Sequence, residues 1–517
     1  MPELEFKPGF QGSETSGARV YMYRHLDDPV LLNAPEEDLF NDDGTINSES
    51  RQSVQMIDRD SSVVKLVSVT VEKSMGAPSG SFTIKVESRE DVLDLFLDDD
   101  WVDIEFFNHS EVEHVMRGSI DSITEDRVVN SSGATVRTYT ITGRDFGKIW
   151  EEVPVFYARM VGDDEMGALI MRAVKTFESG TPSEMVDALL RRFLVQQNEF
   201  GRGVWNFPSG MPSIDYFNNS FAGNCFRVFQ ELVVDPSTTE LSGEVKNAFY
   251  PPRIAPNINR MNLDGQNLWG LAQAWSDPYF TELYADLAPT EEGRIKGNPV
   301  GTTRMQFVHR DKPFPTFEQI SGDVNDSLWY RLPVHDISTQ DVVASSLMKS
   351  GLERINTIFS YAKTRQENIK ASEQVFIPTW NKFDTRQRGI RKLDAISDYF
   401  TTEGVNLVQG EIFRNKLRDW YCLNPYMLSG TLNLGLGKPE VRIGQRLRWW
   451  REKNEVINFY VEHVSHTWSL GRGTKSTFGV TRGFRGDDER YKNYLTTAKE
   501  SFVPAIPINE ASREGSE

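Results

Sequence analysis

The stretch FYVEHVSHTW, residues 459–468, sets Glu462, His463 and His466 within a few positions of one another. Two imidazoles and a carboxylate at such spacing are the raw material of a metal site or an acid–base pair. They stand out because the whole chain has 7 histidines. The alternation of apolar residues makes the stretch a strand, and on a strand residues three apart point to opposite faces. His463 and His466 cannot share one ion unless a bulge intervenes. A change of phase is visible: Ile457, Phe459 and Val461 share one parity and Val464 and Trp468 the other, so the strand slips near Glu462 and His463. A third ligand would still have to come from elsewhere. Both histidines are therefore rejected as metal ligands and read as strand surface or satisfied core.

Other candidates fail on spacing. If Gly44 in FNDDGTINSES took the sixth position of a calcium loop, Leu39 would stand first and Ser50 twelfth, and neither fits. That stretch, with Asp43, reads as an Asp-Gly turn. The three aspartates at 98–100 are adjacent, so they do not converge on one glycosidic bond, and they read as a solvated turn before a strand. GRGTKS at Gly471 joins two strands and is not a strand-to-helix phosphate loop. No Walker A, GxSxG or HExxH sequence occurs. Cys225 and Cys422 are the 2 cysteines. They are too few and too far apart for a CxxC pair or a thiolate zinc site, and read as buried thiols. The expectation is no catalytic, cofactor or metal residue.

The elements around these residues fall into two β-rich blocks. In residues 61–155, Val63, Val67, Val69 and Val71 alternate, as do Phe82, Ile84 and Val86. In WVDIEFF, Val102, Ile104 and Phe106 take one face, and Asp103 and Glu105 the other. Residues 426–485 form the second block. Their stretches answer one another in order: SGSFTIKV and SGTLNLGL, DWVDIEF and GQRLRWW, VMRGSIDSITED and FYVEHVSHTWSL, TYTITGRDF and STFGVTRGF. This is the pattern of an internally duplicated small antiparallel barrel.

Between the blocks the reading is helical or mixed, in two regions, 156–310 and 311–425. Met166, Leu169, Ile170, Ala173, Val174 and Phe177 line one helical face. Ser183 caps a second helix with Val186, Leu189, Leu190, Phe193 and Leu194 inward. Asp264 caps a third, with Leu268, Leu271, Ala272 and Trp275. Ser338 and Asp341 resemble a capping box that starts a helix ended by Gly351. Further helices are expected over 388–400 and 410–422. Strands from about 280–310 are candidates to complete the second barrel. WNFPSGMPSIDYF and FYPPRIAPNINR read as exposed connections. Residues 1–60 form a polar arm and 486–517 a polar tail, both candidates to order on a partner. The fold class is mixed β/α (α+β): two duplicated barrels joined by an α/β middle.

The chain has 517 residues, 38% hydrophobic and 26% charged, as in a folded globular protein of several domains. No apolar run approaches the ~20 residues that cross a bilayer, and the N-terminus lacks the pattern of a secretory signal, so synthesis in the cytoplasm is expected. The net charge is −18. Such a surface repels nucleic-acid phosphates, although an acidic protein can enclose DNA without holding it.

FYVEHVSHTW followed by STFGVTRGF resembles the closing hairpin of bacteriophage tail baseplate hub (late-control) proteins, a family shared with contractile injection systems. TITGRDFGKIW resembles the end of that family's first tail-tube-like barrel. LWGLAQAWSDPYFTELYADL with RMQFVHRDKPF, and WYRLPVHDISTQDVVASSLMKSGLERIN, resemble its middle. The resemblance spans about residues 60–485 and rests on the order of several short motifs. It implies a virion protein of the tail baseplate: a homotrimer whose two barrels per chain form a pseudo-sixfold ring. Its implied partners are the tail tube protein, the central spike protein, and the tape measure protein or other baseplate proteins. DNA would pass through the lumen without specific binding, and no membrane anchoring is implied. Two other readings remain: a tail-associated peptidoglycan hydrolase, and a receptor- or carbohydrate-binding β-rich tail protein, since aromatics make up 11% of the chain.

Overall fold

The computed structural model describes residues 16–23, 54–57, 64–88, 91–108, 111–129, 135–152, 281–289, 303–314, 328–362, 379–397, 417–421, 424–452, 455–485 and 502–503, with single positions omitted and a few more near residue 270. The turn at Asp43 and Gly44, the helical faces begun by Met166 and Ser183, the two proline-rich connections, Cys225 and Cys422 lie outside the described residues.

Alternation becomes strand through most of what is described. The first group is β1 (Ser16–Tyr23), β2 (Val54–Ile57), β3 (Val64–Ser74), β4 (Ser81–Ser88), β5 (Trp101–Asn108), β6 (Glu111–Val129) and β7 (Thr135–Asp145). A hairpin follows, β8 (Thr281–Pro289) with β9 (Thr303–Asp311). Then come β10 (Val334–Ser338), β11 (Val342–Met348), β12 (Thr357–Ala362), β13 (Thr379–Asn381) and β14 (Lys392–Ser397). The last group is β15 (Leu428–Leu434), β16 (Arg446–Glu452), β17 (Glu455–Ser469), β18 (Gly473–Arg485) and the two-residue β19 (Phe502–Val503).

Most strand pairs are antiparallel, and a single large sheet runs β11-β15-β18-β17-β3-β4-β7-β6-β5-β1-β2, with β16 on β17 and β10 on β16. One half of it reads β3-β4-β7-β6-β5-β1. The other reads β11-β15-β18-β17-β16-β10. The two halves meet where β3 pairs with residues 463–469 of β17. The same edge of β17, over residues 455–460, pairs with β16. A core lies behind each half. Leu66, Val69, Val71, Phe82, Ile84, Ile104, Phe106 and Ile141 fill the first. Leu432, Leu447, Ile457, Phe459, Val461, Phe478 and Val480 fill the second. A third cluster of Phe314, Trp329, Trp420, Tyr460 and Phe484 packs beside the smaller sheet β14-β12-β13-β19.

Several expectations are corrected. The segment after Ser338 and Asp341 is the strand β11, not a helix. The two residues instead close a turn, in which Asp341 accepts from the Ser338 amide and hydroxyl at 2.7 and 3.0 Å. Val342 and Val343 favour the extended form, and the β15 ladder satisfies their backbone. Over 388–400 the helix ends at Arg388 and β14 follows. Gly389, at φ 74°, stops the helix where the sequence reading began one. The second half is completed by β10 and β11, whereas 280–310 supplies the separate β8–β9 hairpin. Asp100 is buried, not solvated, and its carboxylate accepts from the Leu97 amide at 2.9 Å. Within the polar tail, Phe502 and Val503 pair with β13.

Candidate functional site

His463 and His466 sit on β17, beside the change of phase. The ladder to β18 shifts register between Val461 and His463, which places a bulge at Glu462. His466 is buried and His463 half-buried. The His466 ring bonds Ser476 Oγ through Nδ1 at 2.7 Å and the Val441 carbonyl through Nε2 at 3.3 Å. A carbonyl only accepts, so Nε2 carries the proton and Ser476 donates to Nδ1. Ser476 in turn accepts from the Lys438 amide at 2.9 Å. The ring thus ties the loop between β15 and β16 to the β17–β18 hairpin. It also contacts Phe478 and, across the junction, Phe106 of the first half. Burial pushes its pKa down to about 4. Among the described residues no group of three or more His, Cys, Asp or Glu side chains is placed to hold a metal ion.

Buried charges also meet at the seam between the halves, beside the β8–β9 hairpin. Lys73 of β3 reaches Asp286 of β8 at 3.0 Å and Asp145 of β7 at 3.3 Å. Arg442, in the loop before β16, lies 3.4 Å from Asp286 and donates to the His114 carbonyl of β6 at 2.7 Å. Burial works against the Lys73 ammonium, but Asp286 and Asp145 outweigh it and raise its pKa. Burial likewise works against the Asp286 carboxylate, but Lys73 and Arg442 outweigh it and lower its pKa. Five chain segments are joined by this one set of charges.

A second set lies further along the same face of the hairpin, four residues from Asp286 on β8. Arg310 of β9 donates to Glu282 of β8 at 2.6 Å, to the Gly444 carbonyl at 2.7 Å and to the Tyr460 hydroxyl at 3.2 Å. Tyr460 donates to the same Glu282 oxygen at 2.6 Å. Gly444 is held at φ 77°, and a Cβ there would come within 2.4 Å of the Tyr284 hydroxyl and 2.8 Å of Arg310. Only glycine fits both the backbone and the space.

Asp103 and Glu105, on the strand face opposite Val102, Ile104 and Phe106, are buried too, at 3% and 2% exposure. Asp103 accepts from Arg117 at 2.7 Å and from His114 Nε2 at 3.0 Å. Burial would raise the Asp103 pKa, but Arg117 and His114 hold it far below the carboxylate range. Glu105 accepts a bond from Tyr21 at 3.3 Å, and burial, with Asp103 nearby, pushes its pKa up to about 7. These groups were not legible as a site. Lys73, Asp145, Asp286, Arg310 and Arg442 are scattered along the sequence, and only the strand order brings them together. Chemically the arrangement locks: opposite charges meet in pairs, and the carboxylates accept bonds inside the protein.

No family model matches the sequence, and no curated protein matches it. Solved structures do. A tail protein from Neisseria meningitidis MC58 is 10% identical and overlaps 93% of this chain and 98% of its own, at a TM-score of 0.45. A 43 kDa tail protein of prophage MuSo2 from Shewanella oneidensis is 11% identical, over 82% and 98%, at 0.41. An E. coli component of the type VI secretion system, itself structurally similar to the T4 bacteriophage tail proteins gp27 and gp5, is 9% identical, over 84% and 77%, at 0.36. At these TM-scores the likeness assigns no residue a role. The structures this chain is similar to are thus two phage or prophage tail proteins and a component of the type VI secretion system.

Proposed function

We propose that the chain is a structural component of a phage tail baseplate: a trimeric hub that adapts a sixfold tail tube to a threefold central spike and encloses the DNA channel. The observation that carries this reading is the repeated strand order. β3-β4-β7-β6-β5 and β11-β15-β18-β17-β16 are the same arrangement met twice, in the order in which the sequence stretches answer one another. Two similar units per chain, in three chains, offer six similar surfaces to a sixfold partner while the assembly keeps threefold symmetry. The locked seam suits a part that transmits load without opening. The net charge of −18 suits a lumen through which DNA slides without adsorbing. In this reading the protein is not an enzyme, and it resides in the virion tail.

The test is the mass of the purified full-length protein in solution. A trimer is expected, and a monomer at every concentration overturns the hub. The hydrolase alternative predicts clearing in a cell-wall zymogram. The glycan-binding alternative predicts glycan-array binding by a protein that does not trimerise.

A further inference from the structure

The two halves are joined unequally, and the inequality points to a partner. In the second half, one edge of β17 is paired twice. Residues 455–460 meet β16, and residues 463–469 meet β3 of the first half. In the first half, β6 occupies the position of β17. Its edge pairs with β5 over residues 111–119. Beyond that point β6 runs on to Val129, held only by β7 on its other side. Among the described residues no strand pairs with this edge over 121–129. β6 carries its bulge at Asp121, between the pairs made by Ile120 and Ser122, as β17 carries one at Glu462.

The strand that would fill the place is also present. β11 occupies in the second half the position that β3 occupies in the first, pairing with β15 as β3 pairs with β4. β3 is enclosed between β4 and β17, and most of its residues are at least half-buried. β11 has β15 on one side and, among the described residues, no strand on the other. Most of its residues are exposed, including Val343 at 75% and Met348 at 56%. Val128 and Val129 at the end of β6 are 62% and 65% exposed. An apolar edge strand with a free ladder is a template for pairing with another chain.

We infer that β11 of one copy of this chain pairs antiparallel with residues 121–129 of β6 in the next copy, repeating between chains the junction that β3 and β17 make within one. The pairing is heterologous: each copy offers one donor strand and one acceptor edge. Such contacts either close into a ring or run on as a filament. The inference rests on the trimeric hub reading, in which three copies close the ring. The faces agree. Ile123 packs against the first core and Leu347 against the second, so a shared ladder puts both on the inner side. Lys349, just past β11, falls at the Asp121 end of β6 in the antiparallel sense, where Asp121, Glu151 and Glu152 outnumber the two cations they meet, Arg144 and Lys148.

The test uses the full-length chain with Cys225 and Cys422 replaced by serine. Glu125→Cys is combined with Ser345→Cys in one variant and with Leu347→Cys in another. The two partner positions cover adjacent registers on the inner face. After mild oxidation, one of the double variants is expected to give covalent dimers and trimers on a denaturing gel, and no single variant does. Hydrogen exchange on the unmodified trimer is expected to show protection of those amides of 121–129 and 342–348 that face away from β7 and β15 and so have no ladder partner within the chain. It decides the matter if the variants do not fold. A trimer with no crosslink in either pair, or with freely exchanging amides in the unmodified protein, overturns this interface and leaves the hub reading standing. A monomer overturns both.

Discussion

At His466 the imidazole stands between a hydroxyl and a carbonyl, and its position decides its proton. Burial pushes the pKa of His466 down to about 4 and that of His309 down to about 3. An unfolded chain would protonate both as pH falls through about 6.5. Between about 6.5 and the folded values only the unfolded state binds the extra protons, so stability present above that window is lost as the pH drops. At pH 5 the loss is about 2 kcal/mol for each histidine. Urea unfolding should show its midpoint falling steadily from pH 7 to 4.5, and His466→Asn should flatten part of the slope. An unchanged slope in that variant would remove His466 from the account. The sequence was legible at this residue because parity alone located the slip at Glu462 and His463, where the bulge is found. It was not legible at Asp103 and Glu105. Alternation divides a strand into two faces, but it does not say whether the second face is covered. Here it is, and the polar residues inside it are paired with Arg117, His114 and Tyr21.

Among the elements, the long hairpins were readable and the short strands of the middle were not. β17 and β18 carry a clear alternation and a glycine-rich turn at Gly471. β11 is short, carries three small residues (Ala344, Ser345 and Ser346) and follows a Ser-x-x-Asp sequence, so local signals favour a helix cap. Pairing with β15 outweighs them. The strands in 280–310 are readable as candidates to complete the second barrel, but the place of the β8–β9 hairpin is not, because it is set by Glu282, Asp286 and Arg310 meeting partners more than a hundred positions away. The loop that receives Arg310 depends on one glycine. Gly444→Ala adds a left-handed backbone cost to an overlap with Tyr284, together about 2–4 kcal/mol. Thermal unfolding should fall by several degrees, whereas Gly471→Ala, where a Cβ meets nothing within 4 Å, should cost only its backbone share. Equal losses at the two sites would mean that the packing beside Tyr284 is slack.

Over the whole molecule, the shared strand makes the two halves one object. β17 contributes to the core of the second half through Val461 and Val464 and to that of the first through Trp468. The Lys73, Asp286 and Arg442 set crosses the same seam. Neither half can lose its sheet without stripping a strand from the other. Calorimetry should therefore show residues 64–145 and 428–485 melting in one transition, and two resolved peaks would argue that the seam is weak. The same junction has a mechanical reading. β3 and β17 lie side by side along a seven-residue ladder, so tension along the strands loads its hydrogen bonds all at once and not one after another. A seam built this way yields abruptly and at high force, the behaviour of a clamp and not of a hinge.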